Sequence, residues 1–183
     1  MRGVELFSGT GTVSRVFREG GWEMEEVDIL QGKDVLTWQP TGEYQFVWAS
    51  PPCQQYSAFS QAARATKYKS IGKADPALWL RSLELIRQIA PRYWVIENVN
   101  MAQWVWGRAA YHYGSYYLWG YFPALPSRPV IPERTLKGTR WVYYRDGQTR
   151  YQEMDAGGAA ERARIPEELA RMVFKAVDKG VRK

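Results

Sequence analysis

The N-terminal pattern of strand, glycine turn, helix and strand confines this chain to a narrow set of folds. Residues 4–7 form a short strand pattern, and residues 8–12 a turn carrying Gly9 and Gly11. Residues 13–19 then read as a helix with Val13, Val16 and Phe17 on one face. Gly20 and Gly21 end that helix, and residues 24–29 read as a second strand with Asp28 near its tip. A unit of this kind joins two parallel strands through a right-handed crossover. Its glycines let backbone approach a ligand closely, and an acidic residue ending the second strand can accept bonds from ribose hydroxyls. Any tight turn between strand and helix favours glycine, so the turn alone does not name a ligand.

The next elements put chemistry where such sheets bind ligands. Residues 33–36 read as another short turn and strand, with Asp34 a second candidate cofactor ligand. Phe46, Val47 and Trp48 form a buried strand pattern that Pro51 and Pro52 end abruptly. The only cysteine, Cys53, follows at once, and the carboxyl ends of strands are where open α/β sheets hold their ligands. A lone thiol often simply packs, so neighbouring groups must decide its role. Residues 93–96 form a further buried strand ending in Glu97, Asn98 and Val99. That carboxylate falls one or two strands from the thiol, facing the same crevice.

Between those strands, residues 54–76 read as a long loop bearing Arg64, Lys67, Lys69 and Lys73, a candidate clasp for a phosphate backbone. Asp75 and Pro76 open a helix to about Ala90, with Leu80, Leu83, Ile86 and Ile89 as its apolar positions. Residues 101–133 are rich in Trp, Tyr and Pro, suited to packing or to stacking on bases. Residues 139–144 and 148–154 read as a hairpin around Asp146 and Gly147, and a last helix follows Pro166 with Leu169, Met172, Val173 and Val177 inward. In 183 residues with 45% hydrophobic and 15% aromatic content, this fits one domain with a sizeable core. The net charge of +6 suits a polyanionic partner. A single histidine and a single cysteine leave no zinc cluster and no internal disulfide, so no metal is expected. No run approaches a membrane span, and an intracellular, cytoplasmic protein is expected.

Taken together, these residues resemble the cytosine-5 DNA methyltransferases. The family's cofactor motif resembles Phe7, Ser8, Gly9, Thr10 and Gly11, and its Pro-Cys-Gln-x-x-Ser motif matches Pro52, Cys53, Gln54 and Ser57. Its Glu-Asn-Val motif matches residues 97–99. The ordered trio is specific, and the resemblance covers about residues 2–100. It implies a Rossmann-like, S-adenosylmethionine-dependent α/β fold: a mostly parallel central sheet with helices on both faces. It further implies that Phe7, Gly9, Gly11 and the intervening Ser8 and Thr10 hold S-adenosylmethionine, with Phe7 against the adenine. Asp28 would accept from the ribose, Ile29 would pack on the adenine, Asp34 and Val35 would meet its amino edge, and Ser50 would complete the set. Cys53 would be the nucleophile and Glu97 the acid on the base ring. Pro52 and Asn98 would orient the thiol's loop, with Gln54 and Ser57 completing the catalytic motif.

The sequence also departs from the family. Only residues 111–164 are available for target recognition, within a single domain spanning 1–183. The usual Gln-x-Arg-x-Arg motif is not evident, with Arg128, Arg134 and Arg140 as candidate replacements. The expected partner is DNA, with tRNA cytosine, methylation of an exocyclic amino group and a degenerate nucleic-acid-binding module as alternatives. A homodimer that shares recognition is a further expectation.

Overall fold

The computed structural model describes residues 1–53, 56, 75–126, 142–145, 148–151 and 164–183. They divide into two compact units, residues 1–125 with 165–183, and residues 126–164. In the first unit the chain runs β1 (Arg2–Leu6), α1 (Thr12–Glu19), β2 (Glu23–Val27), β3 (Phe46–Ala49), α2 (Ala77–Ile89) and β4 (Tyr93–Asn98). It continues through the single turn α3 (Gln103–Trp106), β5 (Tyr111–Tyr113) and β6 (Tyr116–Tyr121), and closes with α4 (Glu167–Val181). The second unit holds the hairpin of β7 (Val142–Arg145) and β8 (Gln148–Tyr151), paired as its sequence predicts. Among the described residues no helix is long and apolar enough to cross a membrane.

The six strands lie in the order β2-β1-β3-β4-β6-β5. β2, β1, β3 and β4 are mutually parallel, and β6 and β5 add an antiparallel edge. The mostly parallel α/β sheet expected from the sequence is therefore present. Strand alternation sorts the core into two layers. Val4, Leu6, Val47, Ala49 and Ile96 share a face with Leu85 and Ile86 of α2 in one buried cluster. On the other face Phe46 stacks on Phe17 of α1, with ring centroids 4.6 Å apart, and Phe174 of α4 meets Phe17 edge-on at 5.2 Å. Burying each such ring contributes about 1.5–3 kcal/mol, so helices cover both faces because both faces are apolar. Gly20 makes the second layer possible. A Cβ there would lie 2.0 Å from the Phe174 ring.

Two local expectations are corrected. Residues 33–36 form no strand: the Asp34 carboxylate accepts the Leu36 N–H at 2.9 Å, and its carbonyl accepts from Trp38 at 2.8 Å, closing a turn. In α2 the inward positions are Trp79, Ser82, Leu85 and Ile86, while Leu80 and Leu83 are 50% and 36% exposed. Trp79 decides this face by stacking on Trp106 at 4.7 Å and meeting Trp119 edge-on. Ser82 tolerates burial because its hydroxyl donates to the Leu78 carbonyl at 2.8 Å. The β5–β6 hairpin, which places two aromatic strands in the main sheet, has no counterpart among the predicted elements.

Candidate active site

The carboxyl ends of β1, β2, β3 and β4 form one rim, since all four strands run the same way. At the end of β1 the chain turns sharply. Phe7 has φ 58°, and Gly9 and Gly11 have φ 51° and 65°. A left-handed backbone at Phe7 costs about 1–2 kcal/mol, so the surroundings must hold it. Phe7 donates its N–H to the Val27 carbonyl at 2.8 Å, and its ring packs against the core. Glu5, buried two residues back, accepts the Ser14 N–H at 2.7 Å near the start of α1. Burial raises its pKa to about 7. Sequence inspection passed over Glu5, although a carboxylate within a strand entering a glycine turn is a signal of such a contact.

Asp28 sits where the sequence puts it, at the tip of β2, and its two oxygens are both used by backbone. Gly9 donates to Oδ2 at 2.8 Å and Leu30 to Oδ1 at 2.9 Å. The carboxylate thus fixes the glycine turn to the second strand, while lone pairs remain for a hydroxyl ligand. Beside it Ile29 and Leu30 are 71% and 85% exposed, an apolar ledge at an otherwise polar rim. A Cβ on Gly9 would meet nothing within 4 Å, so open space adjoins the turn. An open left-handed turn, a carboxylate and an apolar ledge fit the sugar and base of a nucleoside cofactor. Asp34 lies in the turn described above, and Val35 is buried in the core.

The thiol and the carboxyl group come from the next two strands. Ala49 pairs with Ile96, which sets Ser50 beside Glu97 just past the register. The Ser50 hydroxyl accepts the Trp48 Nε1–H at 2.8 Å and hydrogen bonds to the Glu97 carboxylate. Burial nevertheless dominates and raises Glu97 to about 7, against the lowering effect of Ser50. Glu97 sits deep in the protein but keeps part of its surface exposed. Asn98, fully enclosed, donates Nδ2–H to the Pro51 carbonyl at 2.9 Å and accepts the Val99 N–H through Oδ1 at the same distance. It is thus Pro51, rather than the exposed Pro52, that β4 grips. Two residues on is Cys53, half-buried, whose carbonyl accepts the N–H of the buried Tyr56 at 2.9 Å. Cys53 and Glu97 both act electrostatically on the Tyr116 hydroxyl, which burial and these two groups raise to about 12.

Ser8, Thr10 and Ser50 lie on this rim with the residues above. Gln54, Ser57 and the basic group Arg64, Lys67, Lys69 and Lys73 lie outside the described residues, as do Arg128, Arg134 and Arg140. Tyr116 escaped the sequence reading. Its signal was Gly114 followed by Ser115 between aromatic runs, a two-residue hairpin turn with Gly114 at φ 58°.

The fold is that of an α/β protein in which the glycine turn, Asp28, Cys53 and Glu97 share the carboxyl rim of a parallel sheet. No family model matches the chain. A probable DNA (cytosine-5)-methyltransferase of Frog virus 3 (isolate Goorha) is 32% identical over 142 residues, a match covering 66% of this chain and 66% of the viral protein, just under two thirds. With the ordered motifs around Gly9, Cys53 and Glu97, that relationship supports the cytosine-5 methyltransferases as the family this chain is similar to. Among solved structures, a putative DNA modification methyltransferase encoded within an Escherichia coli prophage is 18% identical over 56% of this chain and 33% of its own, with TM-score 0.38. The Entamoeba histolytica methyltransferase EhMeth is 20% identical over 56% of this chain and 39% of its own, with TM-score 0.35. Likenesses that faint carry no weight beside the sequence relationship.

Proposed function

We propose that this protein transfers a methyl group from S-adenosylmethionine to carbon-5 of cytosine in DNA, through a covalent adduct of Cys53 with a flipped-out base. The observation that carries the reading is the register of β3 and β4, which sets Ser50 against Glu97 and lets Asn98 hold Pro51, so that the Cys53 loop and the Glu97 carboxyl group share one rim. Carbon-5 of cytosine is too electron-poor to attack a methyl sulfonium unaided. A thiolate adding to carbon-6 makes carbon-5 nucleophilic, splitting one hard step into two. The carboxyl group of Glu97, its pKa raised to about 7 by burial, supplies a proton to ring nitrogen 3 as that charge develops. Asn98 fixes the thiol's approach through the Pro51 carbonyl.

S-adenosylmethionine, when bound, supplies the activated methyl group. Phe7, Gly9, Gly11, Asp28 and Ile29 are the residues that would hold it, with Asp28 meeting the ribose and Ile29 the adenine. Reaching a base inside a duplex requires flipping it out, at a cost of a few kcal/mol. The basic residues Arg64, Lys67, Lys69 and Lys73 are assigned to the phosphate backbone that steadies the opened duplex.

The test is transfer of a labelled methyl group from S-adenosylmethionine to DNA, with mass analysis of the nucleosides. The expected product is 5-methylcytosine, lost in Cys53→Ala while cofactor binding persists. Label on an exocyclic amino group, on RNA alone, or undiminished in Cys53→Ala overturns the proposal.

A further inference from the structure

Strand β6 brings a third polar group to the reactive pair. In the ladder between β4 and β6, Glu97 stands opposite Leu118, and Tyr116 lies two residues from Leu118. Side chains two apart along a strand leave the same face, so Tyr116 is the diagonal neighbour of Glu97. Such neighbours lie about 7–8 Å apart at Cα, a gap that a phenol spans. Cys53 approaches the same place from β3, because Ser50 bonds to Glu97 and Asn98 holds Pro51. The Tyr116 side chain is half-buried there. Its hydroxyl stays protonated through the physiological range, since burial and the two acidic neighbours all oppose its ionisation.

The geometry of a pyrimidine then limits what this hydroxyl can touch. Ring nitrogen 3, served by Glu97, and carbon-6, attacked by Cys53, occupy opposite corners of the ring. A group close to both partners flanks one of the two edges between those corners. The edge with carbon-4 and carbon-5 carries the amino group, itself a hydrogen-bond donor, and offers no acceptor to a protonated phenol. The remaining edge carries the carbonyl at carbon-2.

We propose that the Tyr116 phenol donates a hydrogen bond to the carbon-2 carbonyl oxygen of the bound cytosine and stabilises the charge that builds there as Cys53 adds. This rests on the function proposed above. In that step a sulfur lone pair forms the bond to carbon-6, and the π pair between carbons 5 and 6 shifts to lie between carbons 4 and 5. The π pair between carbon-4 and nitrogen 3 moves onto nitrogen 3, which takes the Glu97 proton. Until that proton arrives, the charge is shared with the carbon-2 oxygen, where a fixed donor lowers the barrier. Tyr116 thereby favours a base with a carbonyl at that position.

The experiment is Tyr116→Phe in the full chain, assayed by exchange of tritium from cytosine carbon-5 in DNA. Exchange requires thiolate addition but no methyl transfer. It is read beside kcat, KM and S-adenosylmethionine affinity by calorimetry. Loss of one such donor predicts a fall on the order of 100-fold in exchange and in kcat, with cofactor affinity and melting temperature retained. DNA carrying 2-thiocytosine, a weaker acceptor, should be slow with the wild type and no slower with the variant. Undiminished exchange in Tyr116→Phe, or a fall matched by lost cofactor affinity, overturns the assignment. So does a variant that still discriminates against the thio base as the wild type does. A wild-type chain that neither exchanges nor methylates overturns the proposed function and this inference together, whereas normal wild-type exchange with an unaffected variant overturns this inference alone.

Discussion

Ser50 is the sharpest handle on the proposed acid. Its hydroxyl bonds to the Glu97 carboxylate, and that bond holds the group down against burial, leaving it at about 7. A hydrogen bond to a charged acceptor contributes about 1.5–3 kcal/mol, and one pKa unit corresponds to about 1.4 kcal/mol. Removing the hydroxyl in Ser50→Ala therefore raises Glu97 by about 1–2 units, because the ionised form loses its donor. The reaction needs the protonated acid, so kcat/KM should fall on the alkaline side as Glu97 ionises. In Ser50→Ala that limb should move upward by about 1–2 pH units. The assay is kcat/KM for methyl transfer from pH 5.5 to 9.5, which reports the free enzyme.

The same substitution also strips the Trp48 indole N–H of its acceptor. A buried orphaned donor costs about 1–3 kcal/mol, and for a chain of this size each kcal/mol lowers the melting temperature by about 2–4 °C. That loss does not move a pH limb, so the two readouts separate structure from chemistry. An alkaline limb that stays in place, or moves down, refutes the role given to Glu97.

Two further predictions concern the supports of the site. Asn98→Ala leaves the Pro51 carbonyl and the Val99 N–H without their partner, which should cost about 2–5 kcal/mol in chemical denaturation. It should also reduce methyl transfer more than tenfold at a temperature where the variant is fully folded, and full activity there contradicts the clamp on the thiol's loop. Gly9→Ala places a Cβ in open space with φ 51°, so stability should fall by only about 1–2 kcal/mol. Calorimetry should show S-adenosylmethionine affinity weakened at least tenfold, and unchanged affinity would move the cofactor away from this turn.

Much of the site was legible because its parts are local. The glycine turn, the acid at the tip of β2, the thiol after two prolines and the Glu-Asn-Val run each sit at a strand end. Short apolar runs and turn residues mark strand ends without knowledge of the fold. The parallel sheet followed from the same signals, since a helical crossover between neighbouring strands returns the chain to pair in parallel.

Tertiary structure decided what depends on partners distant in the chain. Leu80 and Leu83 look inward by periodicity, yet Trp79 turns α2 by stacking on Trp106, a residue of another helix. Asp28 looks like a ligand and is also the tether of Gly9, a bond across 19 positions. Glu97 reads as an ordinary carboxylate until burial raises it, and Tyr116 as one tyrosine among twelve until β6 pairs with β4. Sequence alone determined which reactive groups the chain possesses and at which strand ends they stand. Desolvation and register, which exist only once the strands are side by side, decided which of those groups meet and which of them keep their protons.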